Sequence, residues 1–289
     1  MKKILKHLAI IFSSILAIAL VGYGIYWSMG LQTISDQHLD LDQRNSNYQF
    51  STTPTLFLHG WAGDSRTFNQ TIDAMQSYHV AEKTLTVYVD FHDHLHFNGK
   101  WDNRAINPMI QVIFYKNLPL KYDSQAPVLA HILAELKTRY HVQKYNIVGH
   151  SWGGSVAATN LILYGNNHQQ PQLNKMILLG APIDENLHTR GITPKSGWPL
   201  SQSKSYKLLL KNRDNLKYQK QISIYNIMGR LGKTKSDNSV NINEATALKP
   251  VVQGYPNVDY HQEILPNVSH YQLHSKKSVL KHVADILWQ

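Results

Sequence analysis

The stretch YNIVGHSWGGS, residues 145 to 155, constrains this chain more than any other. A β-branched and apolar run that stops at Gly149 reads as a buried strand, and the residues from Ser155 to Gly165 read as a helix that ends at a glycine. Between the two lies only Gly149-His150-Ser151-Trp152-Gly153. A strand that passes straight into a helix turns so tightly that side chains at both flanking positions would collide, and the two glycines remove the collision. Ser151 is then held out at the end of the strand, with a helix N-terminus behind it that favours developing negative charge. The competing reading of this serine is a place in a plain strand-to-helix turn.

The rest of the chain alternates in the same way. TLFLHG, TLTVYVD, MIQVIFY, KMILLGAP, ISIYNIMG and VDYHQEIL read as strands. A helical stripe runs from Val128 to Tyr140 with Pro127 near its start, a short helix is expected near 244 to 249, and KKSVLKHVADILW closes the chain as a helix. Strands that alternate with helices imply an α/β fold with a mostly parallel sheet covered on both faces, and chemistry at the carboxyl ends of the strands.

A serine hydroxyl is a weak nucleophile until a base takes its proton and a further group orients that base. Where a serine is presented this way, the acid and then the histidine follow it in the chain. The acids on offer are Asp184, Asp214, Asp237, Glu244, Asp259 and Glu263, and the late histidines are His261, His270, His274 and His282. GRLGKTKSDNSV puts Asp237 in the loop after a strand, with Asp184 as the reserve, because it too ends a strand. LPNVSHYQLH puts His270 in the loop after the last strand; His274 lies a helical turn further on and His261 lies inside the strand. The oxyanion of acyl transfer needs two backbone N–H donors, and Trp152 and Trp61, the latter in FLHGWAGD, are placed to supply them.

The first 30 residues stand apart. Lys2, Lys3 and Lys6 precede LAIIFSSILAIALVGYGIYW, an uncharged run about as long as a helix needs to cross a bilayer. The cationic start keeps the N-terminus in the cytoplasm and exports the chain beyond Gly30. Ala17 and Ala19 offer a small-x-small cleavage site, whereas Ile25, Tyr26 and Trp27 continue the apolar run into an interfacial belt, which favours an uncleaved anchor. Residues 1–30 are accordingly expected as anchor or signal and 31–289 as the catalytic domain.

The formal charge of +10 suggests nucleic acid until it is located. Residues 190 to 235 hold eleven Lys or Arg against one acid, Asp214. The basicity belongs to this segment and to the N-terminus, and no nucleic-acid motif accompanies it. Tyr206, Leu209, Leu210 and Leu216 among its lysines suit an amphipathic helix over residues 184–221, either a cap near Ser151 that draws anionic lipid or polymer or a solvated basic face without a partner. With no cysteine in the chain, disulfides, thiolate zinc sites and cysteine nucleophiles drop out. His92, Asp93, His94 and His96 lie close in sequence, but a chain with sixteen histidines produces such groups by chance, and no metal is expected.

FLHGWAGDSRTF, NPMIQVIFY, YNIVGHSWGGS, LLGAPIDEN, the Ser236-Asp237 loop and SHYQLH together resemble the α/β-hydrolase superfamily, and within it the uncharacterised membrane-anchored cell-surface hydrolases of Gram-positive bacteria. The resemblance runs from Thr55 to the end. It implies the α/β-hydrolase fold with a helical cap insert, and a triad that falls on Ser151, Asp237 and His270. Asn238 stands where that family often has glycine, and Tyr271 where it often has serine.

The expectation is a serine hydrolase of acyl bonds, with a carboxylic ester as the default substrate on this fold and no cofactor required. The competing class is a non-catalytic surface protein that binds an anionic polymer or lipid through the basic insert. Fold analogy alone does not choose between ester, amide and acyl transfer.

Overall fold

The computed structural model describes residues 2–40, 42–184 and 197–289. Its eight-stranded sheet has the order β3-β2-β4-β1-β5-β6-β7-β8. The strands are β1 (Thr55–Leu58), β2 (Lys83–Val89), β3 (Leu95–Gly99), β4 (Met109–Phe114), β5 (Lys144–His150), β6 (Gln172–Leu179), β7 (Ile222–Arg230) and β8 (Val258–Pro266). All pairings are parallel except β2 with β3. The central strands β1 and β4 are buried along their whole length, which is why their sequences are near-continuous apolar runs, broken only by Thr55 and Gln111, rather than alternating ones.

Both faces are covered. Helices α3 (Tyr122–Arg139) and α4 (Trp152–Tyr164) join α5 (Lys204–Asn212) and α7 (Leu248–Val252) over one face, where Leu133, Leu161, Leu209 and Val251 enter one core. On the other face α2 (Arg66–Ser77) and α8 (Lys277–Trp288) pack Phe68, Ile72, Val283 and Leu287 against Phe57 and Ile177. The C-terminal turn of α8 is secured by Lys175, whose Nζ donates to the Ile286 and Leu287 carbonyls at 2.6 and 3.0 Å.

Several elements differ from the sequence expectations. The helix at Pro127 starts earlier, at Tyr122, whose ring packs on Trp152 with centroids 4.2 Å apart. The helix expected near 244 to 249 is two short ones, α6 (Ile242–Thr246) and α7, with α6 started by a capping box between Asn241 and Glu244. The described part of the basic insert forms α5 and a 3-10 turn (Arg213–Tyr218) that lie along α4. Its apolar side, Tyr206, Leu209 and Leu216, is buried in the core beneath it, and the Tyr206 hydroxyl donates to the Ala247 carbonyl at 2.9 Å. Arg190 and Lys195 lie outside the described residues.

Helix α1 (Lys2–Gly30) precedes this domain, and its stretch from Ile11 to Gly30 is long and apolar enough to cross a membrane. Its last turn is tied directly to the domain: the Gly30 carbonyl accepts from Ser65 N–H at 3.0 Å, and the Trp27 ring stacks on Phe91 at 5.7 Å.

Candidate active site

The loops after β1, β5, β7 and β8 converge at the carboxyl edge of the sheet. They enclose a cavity of about 510 Å³ to which Trp61, Ser151, Asp237, His270 and His274 all contribute.

Ser151 occupies the turn between β5 and α4 with φ 53° and ψ −125°, a conformation that costs a non-glycine residue about 1–3 kcal/mol and is held only by its surroundings. A Cβ at Gly149 would lie 2.5 Å from the Gly154 Cα, and one at Gly153 would lie 2.4 Å from the carbonyl oxygens of Leu58 and His59. The elbow therefore exists because α4 starts in contact with its own strand and with the end of β1. No acidic side chain occupies the first turn of α4, so its dipole faces the cavity uncompensated.

His270 follows β8 and Asp237 follows β7. His270 Nδ1 lies 2.7 Å from Asp237 Oδ2, and the His270 N–H donates to the Asp237 carbonyl at 2.8 Å, so side chain and backbone are both locked to the same residue. The other carboxylate oxygen, Oδ1, accepts from the Ser239 and Val240 N–H groups at 2.9 and 2.7 Å. Asp237 is buried, and its lone pairs are taken by donors. Asn238, in the position where glycine is common, has φ 83°, a left-handed conformation that asparagine tolerates better than most residues. Tyr271 stands exposed at the cavity rim, with nothing that requires a smaller residue.

The remaining candidates are elsewhere. Asp184 accepts from the Ser203 N–H at 3.2 Å, facing the insert. His261 pairs with Asp259 at 2.8 Å on the exposed surface of β8, and His282 with Glu263 at 2.7 Å. His274 does line the cavity, but as a buried neutral ring: desolvation, with the nearby His270 second, lowers its pKa to about 4.

Two backbone N–H groups, those of Trp61 and Trp152, are oriented by the carbonyls that precede them. The Gly60 carbonyl turns inward, where His59 Nδ1 (2.8 Å) and the Gly63 N–H (3.0 Å) bind it, and a planar peptide must then direct the Trp61 N–H the opposite way. The Ser151 carbonyl accepts from the Gly154 and Ser155 N–H groups at 3.0 and 3.2 Å, which turns the Trp152 N–H away from the helix. Among the described residues neither N–H has a partner. The loop after β1 is braced by the loop after β4, through Ala62 N–H to Asn117 O (2.7 Å) and Asn117 Nδ2 to Gly63 O (2.9 Å).

Sequence reasoning missed the residues that hold this arrangement. His59 Nε2 accepts the Phe114 N–H at 3.0 Å, which assigns its proton to Nδ1 and lets it grip the Gly60 carbonyl; burial lowers its pKa and keeps it neutral. His150 Nε2 lies 3.0 Å from the His270 carbonyl. The position of His59 directly after a buried strand was the available signal; nothing in the sequence pointed to the pairing of His150.

At the far end of β2, Asp90, His92 and His94 bring ligand atoms within 4.8 Å of one another, and His96 Nε2 lies 3.1 Å from Asp90 Oδ2. The group is partly exposed, and Asp90 Oδ1 accepts the His92 and His94 N–H groups at 2.7 and 3.0 Å, an ordinary turn closure.

Residues 42–289 match the family described as alpha/beta hydrolase of unknown function (DUF915). No curated protein matches the chain. Among solved structures, a gene product from Listeria innocua is similar with a TM-score of 0.74 at 22% identity, over 82% of this chain and 94% of that one. A candidate cell surface hydrolase from Lactobacillus plantarum WCFS1 is similar with a TM-score of 0.65 at 20% identity, over 81% of this chain and 89% of that one. At these identities the likeness is one of fold.

Proposed function

Since this chain belongs to the alpha/beta hydrolases of unknown function that its residues 42–289 match, we propose that it is a serine hydrolase of acyl bonds, acting on carboxylic esters through Ser151, His270 and Asp237. The observation that carries this reading is the shared cavity: Ser151 on its elbow and His270 held at 2.7 Å by a buried Asp237 open into the same space.

Ser151 Oγ attacks the ester carbonyl while His270 Nε2 takes its proton. Asp237 accepts the Nδ1–H, which fixes the tautomer and stabilises the imidazolium. The Trp61 and Trp152 N–H groups stabilise the oxyanion, a contribution of about 3 kcal/mol per donor in related constellations. His270 returns the proton to the leaving alcohol, and water then releases the acid by the same steps. Residues 31–289 form the catalytic domain, and α1 anchors it with the lysine-bearing end in the cytoplasm and the cavity outside.

The test is hydrolysis of chromogenic short-chain esters by the full chain in detergent micelles. Turnover that falls at least a thousandfold in Ser151→Ala supports the reading. A folded chain with no Ser151-dependent turnover on esters, amides or thioesters would return it to a surface-binding protein.

A further inference from the structure

A second cavity, about 630 Å³, lies between α1 and the loop after β4. Its wall is mainly apolar, with Tyr23 and Trp27 of α1 facing Phe91, Tyr115, Leu118 and Leu120, and with Asp93, Lys116 and Lys121 also lining it. These side chains do not hide from solvent. Phe91 is 54% exposed, Leu118 59% and Leu120 87%, a concentration of large apolar groups that a soluble surface rarely carries.

The position of the end of α1 determines their cover. The helix is joined to the domain without a linker: Tyr88 Oη donates to the Leu31 carbonyl at 3.0 Å, Asn69 Nδ2 to the Gln32 carbonyl at 2.9 Å, and the Arg66 guanidinium sits 4.0 Å from the Tyr26 ring. A helix that crosses a bilayer leaves Trp27 at the aromatic interfacial level. Trp27 touches Phe91 and Tyr115, both at 5.7 Å, so those residues and the adjoining Leu118 and Leu120 stand at that level as well. Lys116 and Lys121 flank the leucines; Lys116 pairs with Asp93 at 3.0 Å, and Lys121 has the charge that suits a lipid phosphate at that level.

The groove is also connected to the site. The Trp61 indole donates to the Pro119 carbonyl at 3.1 Å, and Trp61, 55% exposed, lines the Ser151 cavity on its other side.

We propose that the groove between α1 and residues 115–121 is a lipid-docking surface that seats the acyl chain of a bilayer lipid, so that the enzyme draws its ester from the membrane that anchors it. This rests on the serine-hydrolase and anchor readings above and names their substrate class. Ser151 takes the acyl group, the lipid alcohol leaves with the proton carried by His270, and water releases the fatty acid.

The absence of cysteine makes the test clean, because a single introduced thiol is labelled alone. The full chain is placed in phosphatidylcholine–phosphatidylglycerol vesicles with an environment-sensitive fluorophore at Leu120→Cys, at Ala17→Cys within α1, or at Lys144→Cys at the opposite end of the sheet, and brominated lipid is added. Labels at positions 17 and 120 are expected to be quenched at least twofold more than the label at 144. Quenching at 17 with none at 120 overturns the docking and leaves the anchor. No quenching at either position overturns both. In parallel, Leu118→Asp combined with Leu120→Asp is expected to lower the ratio of vesicle phosphatidylglycerol hydrolysis to soluble-ester hydrolysis about tenfold; an unchanged ratio overturns the substrate class. A quenched label at 120 in a chain that hydrolyses neither ester contradicts the hydrolase reading alone.

Discussion

His150 Nε2 lies 3.0 Å from the carbonyl oxygen of His270, so the residue before the elbow serine holds the backbone of the histidine paired with Asp237. The His150 ring is buried, and desolvation, with the neighbouring histidines second, pushes its pKa well below the usual value. A neutral ring whose Nε2 meets a carbonyl must carry its proton there, and it donates. The two rings also touch, with centroids 4.5 Å apart. This contact ties the end of β5 to the loop after β8, two segments 120 residues apart.

Replacing His150 by Phe keeps the ring and removes the donor. The net worth of such a bond, about 1 kcal/mol, predicts a fivefold to tenfold slower acylation of Ser151 with little change in ester KM. Single-turnover kinetics reads this directly, and an unchanged acylation rate would show that the bond does not position His270.

The two candidate acids are separated by their partners. Asp237→Asn loses the acceptor for the His270 Nδ1–H and is expected to lower ester turnover by a thousandfold or more. Asp184→Asn, whose carboxylate faces the Ser203 N–H, is expected to stay within threefold of the parent. Comparable losses in both would contradict the assignment.

Gly153→Ala places a Cβ 2.4 Å from the backbone oxygens of Leu58 and His59 at the end of β1, which cannot yield without parting strand from helix. We expect a loss of stability on the order of 2 kcal/mol or more, together with loss of turnover. Urea midpoints measure the first. A variant with parental stability and activity would mean that the elbow is looser than this contact implies.

His274 is held neutral at a pKa of about 4 by burial, whereas an unfolded histidine titrates near 6.5. Between those values the unfolded chain binds more protons, so stability contributed by this group is whole above about pH 6.5 and is lost as the pH falls toward 4, by roughly 3 kcal/mol in all. His59 and His150, also lowered by burial, act in the same direction. His274→Phe preserves the contacts with His150 and Tyr271 and should flatten the decline in urea midpoint between pH 7 and pH 4.5. An identical decline would exclude His274 as a source.

The elbow was legible because its geometry forces a local pattern: two glycines around a serine between a strand and a helix. The loop positions of Asp237 and His270 were legible, since each falls after a strand that its own apolar run announces. Helix α2 was legible but unread: Phe68, Ile72 and Met75 fall at i, i+4 and i+7, the spacing of one buried helical face, directly after a loop already read as a site. The roles of His59 and His150 were not legible, because each depends on a carbonyl or N–H brought from another strand or loop by the sheet order. The apolar side of the basic insert was legible in Tyr206, Leu209 and Leu216, but not that it would be buried beside α4.

The central claim is that Ser151 is a nucleophile activated by His270. The most direct measurement treats the full chain in detergent micelles with a fluorophosphonate and maps the adduct by mass spectrometry, beside Ser151→Ala and His270→Ala. We predict one adduct, on Ser151, that is absent in the first variant and formed at least a hundredfold more slowly in the second. A folded chain that forms no adduct, or forms one on another residue, would contradict the claim.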